Sequence, residues 1–221
     1  MGNRTLAGTA LVAVSALCVS CAQSSGLPLL GAPDRTPVAI GIDSASAEQV
    51  ALGEIYSRIL DQMGYAVGVT SLPPRAEADA IEVLRTEQID LVVTCTGALL
   101  NSQNPAAARE LAASGEEGEA LSQAAYDATV GTFPTDVRTV DPSPAHGCAD
   151  LGPDELPQNI IPVFVDGTFD RATVNRINFI TRVMATEDIA EAAERIEGGE
   201  PIAEAVGEWL MEYAGIAPRE A

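Results

Sequence analysis

The chain has 221 residues, 47% of them hydrophobic, with 12 basic against 32 acidic residues and a net charge of −20. Every basic residue is an arginine, which removes a Walker A lysine, a Schiff-base lysine and a lysine general base. A balance this acidic also argues against nucleic acid as a partner, because phosphates need Lys and Arg to neutralise them. There is one histidine, His146, in the turn-rich stretch Ser143-Pro144-Ala145-His146-Gly147-Cys148. HExxH, GxSxG, GxGxxG and paired CxxC motifs are absent, so the expectation is no enzyme, no cofactor and no metal. A secreted enzyme built on His146 or a cysteine pair would need that histidine in a pocket beside an acid or hydroxyl. A solvent-facing loop histidine is the simpler reading.

The N-terminus reads as an address. Arg4 precedes an apolar run from Leu6 to Val19, too short at about 15 residues to span a bilayer comfortably. Residues 1–20 are therefore expected to be a secretory signal peptide. Val19-Ser20-Cys21, followed by Ala22-Gln23-Ser24-Ser25-Gly26, resembles a bacterial lipobox, with Cys18 where leucine is usual. That resemblance implies lipidation at Cys21, contact with the membrane through the lipid anchor only, and a place at the outer face of the cytoplasmic membrane. Ordinary cleavage after Ala22, giving a secreted protein, is the alternative. Residues 21–37, rich in Ser, Gly and Pro, read as a tether.

Two cysteines remain beyond the anchor, Cys95 and Cys148. Export places them where disulfides persist, and a bridge would stabilise the fold by about 4 kcal/mol on the chain-entropy estimate. Two unpaired thiols are the alternative.

In chain order, Val38–Ile42 is a β-branched run expected as a buried strand. Asp43, Ser44 and Ser46 offer N-caps for a helix opened by Glu48-Gln49, with Leu52, Ile55, Ile59 and Met63 at helical spacing and Gly64 as its stop. Tyr65–Thr70 is expected as a second strand, broken by Pro73-Pro74. Ala76–Thr86 is expected as a helix and Ile89–Thr94 as a third strand. This β-α-β-α-β order predicts an α/β fold with a parallel-rich sheet flanked by helices. Residues 101–158 have weak periodicity, with Thr129–Phe133 and Val137–Val140 as strand candidates. Ile160–Val165 is a strand, Phe169–Arg182 a helix, and Thr186 begins a helix stopped by Gly198-Gly199. Pro201 opens a last helix with Ile202, Val206, Trp209, Leu210 and Tyr213 on one apolar stripe. Tyr56, Phe179, Trp209 and Tyr213 sit on such stripes and read as core.

Two blocks together resemble the substrate-binding proteins of ABC importers for glycine betaine, choline and related osmoprotectants. The first runs from Val38-Ala39-Ile40-Gly41 through Glu48-Gln49, Leu52-Gly53, Tyr56 and Gly64-Tyr65 to Ile89-Asp90 and Thr96-Gly97-Ala98-Leu99. The second holds Asn175, Ile180, the Ala-Thr-Glu-Asp run 185–188, Gly198-Gly199 and Ala205–Leu210. The resemblance implies a periplasmic-binding-protein-like fold. Its main lobe would come from 38–100 and 159–217, with 101–158 as a reduced second lobe or insert. It also implies a small-molecule solute and an ABC permease subunit as partners. The family holds quaternary ammonium in an aromatic cage. Where its Tyr-Thr-Gly turn supplies a cage tyrosine, this chain has Cys95. Tyr126, Phe133, Phe164 and Phe169 are the aromatics left as cage candidates.

Ligands of open α/β sheets bind beyond the carboxyl ends of the strands, near a switch in strand order. The expected ligand residues are therefore Asp43, Ser44 and Ser46 after the first strand and Thr94, Thr96 and Gly97 after the third. Glu48 and Gln49 join them from the family motif, and Tyr126 from the cage candidates. Helix capping is the alternative role of Ser44 and Ser46. A Cys95–Cys148 bridge would tie the insert to the crevice rim and narrow or plug the site. Two readings of function stand: a solute-binding lipoprotein delivering a glycine betaine- or choline-like osmolyte to an importer, and a degenerate, non-transporting domain acting as a cell-surface accessory or interaction module.

Overall fold

The computed structural model describes residues 35–86, 88–148, 151–153 and 155–217. The expected signal segment, the expected lipidation site Cys21 and the expected tether up to residue 34 lie outside the described residues. No helix among the described residues is long and apolar enough to cross a membrane.

The elements follow the hydrophobic pattern closely up to residue 95. Strand β1 (Val38–Asp43) leads to helix α1 (Ala47–Gln62), whose N-cap Ser46 accepts from the Gln49 N–H. Gly64 follows the helix at a φ of 88°, a left-handed conformation glycine adopts without steric cost. Next come β2 (Val67–Leu72), a 3-10 turn (Ala76–Asp79) running into α2 (Ala80–Thr86), β3 (Leu91–Cys95) and α3 (Thr96–Gln103). The middle of the chain supplies α4 (Pro105–Ala112), α5 (Gly118–Val130) and the short β4 (Val137–Thr139). The chain closes with β5 (Ile160–Val165), α6 (Arg171–Val183), α7 (Thr186–Glu197), α8 (Ile202–Ala205), α9 (Gly207–Trp209) and a π turn over Leu210–Ala214.

The five strands among the described residues form one sheet in the order β2-β1-β3-β5-β4. The first three run parallel, as the β-α-β-α-β pattern requires. β5 lies antiparallel to both β3 and β4, so the sheet is mixed. The reason is geometric. Cys95, the last residue of β3, pairs with Ile160, the first of β5, so the chain re-enters the sheet at the edge where β3 left it. Segment 101–158 contributes its one strand, β4, to this same sheet.

Helices cover both faces. Alternate residues along β3 and β5 face opposite cores: Leu91, Val93, Ile160 and Phe164 meet α1, α6 and α7 residues on one side, while Val92, Ile161 and Val163 meet α2 residues and Leu99 on the other. α1 is the centre of the first core, with Leu52, Ile55, Tyr56, Ile59 and Leu60 all but inaccessible. Each aliphatic side chain so buried contributes roughly 1.5–3 kcal/mol.

Three sequence expectations change. Thr129 and Val130 end α5 rather than opening a strand, because the Ala-rich run before them propagates as helix. The last apolar stripe is not one helix: it breaks around Val206-Gly207, and Ile202 stays 41% exposed. Glycine is a poor helix residue, which fits a break there. Phe179 is 50% exposed rather than core. It lies about 200° around α6 from Ile177, on the opposite face, and Arg176 covers its ring at 5.6 Å.

Candidate functional site

Strand order reverses between β1 and β3: the chain leaves β1 for β2 on one side and returns to β3 on the other. A ligand crevice is expected beyond the carboxyl ends of those two strands, where Asp43 and Cys95 stand.

The chain's own loop fills it. Cys148 is disulfide-bonded to Cys95 at the end of β3, and its backbone N–H donates to Glu48 Oε1 in the first turn of α1 at 2.9 Å. The segment Gly147-Cys148 thus crosses from β3 to α1 directly over the switch point. A Cβ at Gly147 would lie 2.5 Å from Glu48 Oε1, so a larger residue there would push the Glu48 carboxylate away from the Cys148 N–H. Two further bonds hold the N-terminal side of the strap: the Gly147 N–H donates to the Gln158 carbonyl, and the His146 N–H donates to Thr186 Oγ1 of α7 at 3.0 Å. Segments 143–147 and 158–160 run antiparallel here, through the Ser143 N–H on the Ile160 carbonyl and the Ile160 N–H on the Ala145 carbonyl.

The N-terminus of α3 is occupied in the same way. Helix starts leave amide donors without intrahelical partners, which suits them to anions and carboxylates. Here the Thr96 N–H donates to the Asn159 carbonyl, the Gly97 N–H to the Pro157 carbonyl, and the Ala98 N–H to Gln158 Oε1 at 2.9 Å. Thr96 Oγ1 donates to the Pro157 carbonyl at 2.9 Å. A Cβ at Gly97 would meet Gln158 Nε2 at 2.7 Å and the Pro157 carbonyl oxygen at 2.9 Å. These donors point at protein.

Two pockets flank the filled crevice: one of about 540 Å³ toward α7, with Glu48, His146, Gly147, Gln158, Thr186 and Ile189 among its walls, and one of about 240 Å³ beside β1, walled by Asp43, Ser46, Glu48, Arg75, Glu77, Cys148 and Leu151. Asp43 is buried, and its two oxygens accept from the Ala45 N–H at 2.8 Å and the Arg75 N–H at 2.9 Å. Burial pushes the Glu48 carboxyl up, against the opposing hydrogen bond from Cys148. Glu77 is 3% exposed, and its Oε2 has no hydrogen-bond partner among the described residues. Burial raises its carboxyl as well, against the opposing hydrogen bond from its own backbone N–H; the neighbouring charges of Asp43 and Glu48 add to the rise and Arg75 opposes it.

The sequence-predicted residues therefore divide. Asp43, Ser46 and Glu48 come together in the pocket beside β1. Ser44 is exposed, 2.6 Å from Ser71 Oγ. Gln49 is buried to 1% exposure, its amide atoms without partners among the described residues, and it is not a wall of the pocket. Thr94 is wholly buried inside β3. Thr96 and Gly97 belong to the filled helix start. Tyr126 stands in a different groove with Asp141, His146 and Arg182, its hydroxyl donating to the Val140 carbonyl at 3.1 Å. Phe164 and Phe169 pack edge to face inside the core, and Phe133 packs against the second core, so these candidates do not form a cage. His146 is exposed, and among the described residues its ring makes no hydrogen bond.

Sequence reasoning missed Arg75 and Glu77. The structure pairs Asp43 with Leu72, so the Pro73-Pro74 turn places 75–77 at the same sheet edge as Asp43; in the sequence only the Pro-Pro break after the second strand pointed there. It also missed residues 157–159, whose role depends on where the chain returns to the sheet.

No family model matches the chain, and no curated protein matches it. Among solved structures, the chain is similar to a lactococcal OpuAC in its closed-liganded conformation complexed with glycine betaine. The identity is 10% and the TM-score 0.43, with 81% of this chain and 97% of that chain covered. It is also similar to an ABC-transporter choline binding protein in complex with choline, at 13% identity and a TM-score of 0.41, with 83% and 93% covered. At such values the chain's own side chains have to decide what it does.

Proposed function

We propose that the chain is an exported, lipid-anchored domain of binding-protein type that does not transport betaine-like osmolytes and serves at the cell surface as an accessory or interaction module. One observation carries this reading: the switch-point crevice is filled by the chain's own Gly147-Cys148 and 157–159 segments and closed covalently by the Cys95–Cys148 bond. A betaine would have to displace several hydrogen bonds at α3 and stretch a disulfide-held strap. It would then find no aromatic side chain in the pocket wall to receive its quaternary ammonium. Lipid anchoring at Cys21 is part of the proposal and places the domain at the outer face of the cytoplasmic membrane.

A second reading, delivery of a small solute to an ABC permease, draws on the open pocket that survives beside β1. Calorimetric titration of the exported, disulfide-intact protein with glycine betaine, choline, carnitine and proline betaine separates the two. No heat is expected from a sample that unfolds cooperatively. Micromolar binding of any of the four would overturn the proposal in favour of the importer role.

A further inference from the structure

The pocket beside β1 collects three carboxylates from three separate segments: Asp43 at the end of β1, Glu48 in the first turn of α1, and Glu77 in the 3-10 turn after β2. Their hydrogen bonding is unequal. Both Asp43 oxygens accept backbone N–H groups, and Glu48 Oε1 accepts from Cys148. Glu77 Oε2 is the acceptor left over, buried and without a donor among the described residues. A buried acceptor with no donor is costly, and a ligand that supplies the donor recovers that cost.

The walls select the donor's chemistry. Three carboxylates against one guanidinium call for a cation. A divalent metal lacks a donor set: among the described residues the one group of three ligand atoms within 4.8 Å is Glu48 with the Cys95 and Cys148 sulfurs, and those sulfurs are bonded to each other. A quaternary ammonium has no N–H to give Glu77, and no ring lines the pocket to attract it. A primary ammonium is a compact charge with three donors. We propose that this pocket binds a primary ammonium group, with Glu77 Oε2 as its principal acceptor. The chain contains no lysine, so the side chains of a second copy cannot supply the group. It comes from a free alkylamine or from a lysine of another protein. The inference stands whether the domain is an accessory module or a transport component, since neither betaine nor choline carries a primary ammonium.

The test is a titration of the isotope-labelled, disulfide-intact protein followed by amide NMR, at about 0.15 M salt to screen the general acidity of the surface. The probes are n-butylammonium, tetramethylammonium and Nα-acetyl-lysine methylamide. Butylammonium is expected to shift the Ser46, Glu77 and Cys148 amides saturably, and tetramethylammonium is not. Glu77→Gln keeps the shape and is expected to weaken butylammonium binding by about tenfold or more, whereas Glu116→Gln, on an exposed loop, leaves it unchanged. Equal responses to both cations, absence of saturable shifts, or undiminished binding by Glu77→Gln would overturn the proposal. If Glu77→Gln does not fold, the contrast between the two cations on the unaltered chain still decides. Binding of the acetylated lysine alongside butylammonium assigns the source to a protein partner; binding of butylammonium alone assigns it to a free amine.

Discussion

At the scale of single residues, the crevice edge is a place where carboxylates are held against their solvation. Burial raises the Glu48 and Glu77 carboxyls above their ordinary value of 4.5. The native state therefore keeps protons to a higher pH than the unfolded chain does. Stability from these two groups is fully present below the unfolded value and is lost as pH rises through the raised native values. Asp170, held low chiefly by the Thr173 N–H, and Glu200, held low by Arg195, act in the opposite sense and at lower pH. Comparing Glu77→Gln with the unaltered chain isolates one of the raised groups. The variant is expected to lose less stability than the parent between about pH 4.5 and pH 7 in urea unfolding. Parallel curves would mean that Glu77 titrates normally. Asp43, Ser46 and Glu48 were legible in the sequence because they follow a recognisable strand and open a recognisable helix. Glu77 was not, because the pocket it shares with Cys148 and Leu151 forms only when segments far apart in the chain meet.

At the scale of elements, the start of α3 is decisive. Thr96 and Gly97 are expected from the sequence to hold a ligand, and the structure instead fills the start of α3 with Pro157, Gln158 and Asn159. Gln158 replaces an external acceptor at the Ala98 N–H. Gln158→Ala is expected to destabilise the domain by about 1 kcal/mol and to speed hydrogen exchange at the Ala98 amide. Unchanged protection there would show that the side chain is dispensable to the plug. The strands and helices up to α3 were readable because each has one dominant period. α5 misled the reading because its C-terminal Thr129-Val130 has strand-like composition while the run before it is helical. The final stripe misled it because periodicity does not register a break at Gly207.

At the scale of the whole molecule, the Cys95–Cys148 bond spans a sequence separation of 53 and joins the two halves of the sheet edge. Replacing both cysteines by alanine is expected to cost about 4 kcal/mol, from the loop-closure entropy of a cross-link of that length. The measurement is urea unfolding of the double variant against the parent. A difference under about 1 kcal/mol would mean that the hydrogen bonds at 143–148 and 157–160 hold the strap by themselves. The antiparallel entry of β5 is the reason the strap lies where it does. A chain returning at the carboxyl end of β3 must lay its preceding residues across that end, over the switch point.

The sequence by itself determined the α/β class, the parallel β1-β2-β3 core, and the cap candidates Asp43, Ser44 and Ser46, among which the structure uses Ser46. These follow from local periodicity and from turn chemistry. The tertiary structure alone decided that the crevice is filled, that Glu77 Oε2 is buried without a donor among the described residues, and that Phe164 and Phe169 are spent on packing. Each of these depends on contacts between residues dozens of positions apart, and no local pattern encodes them.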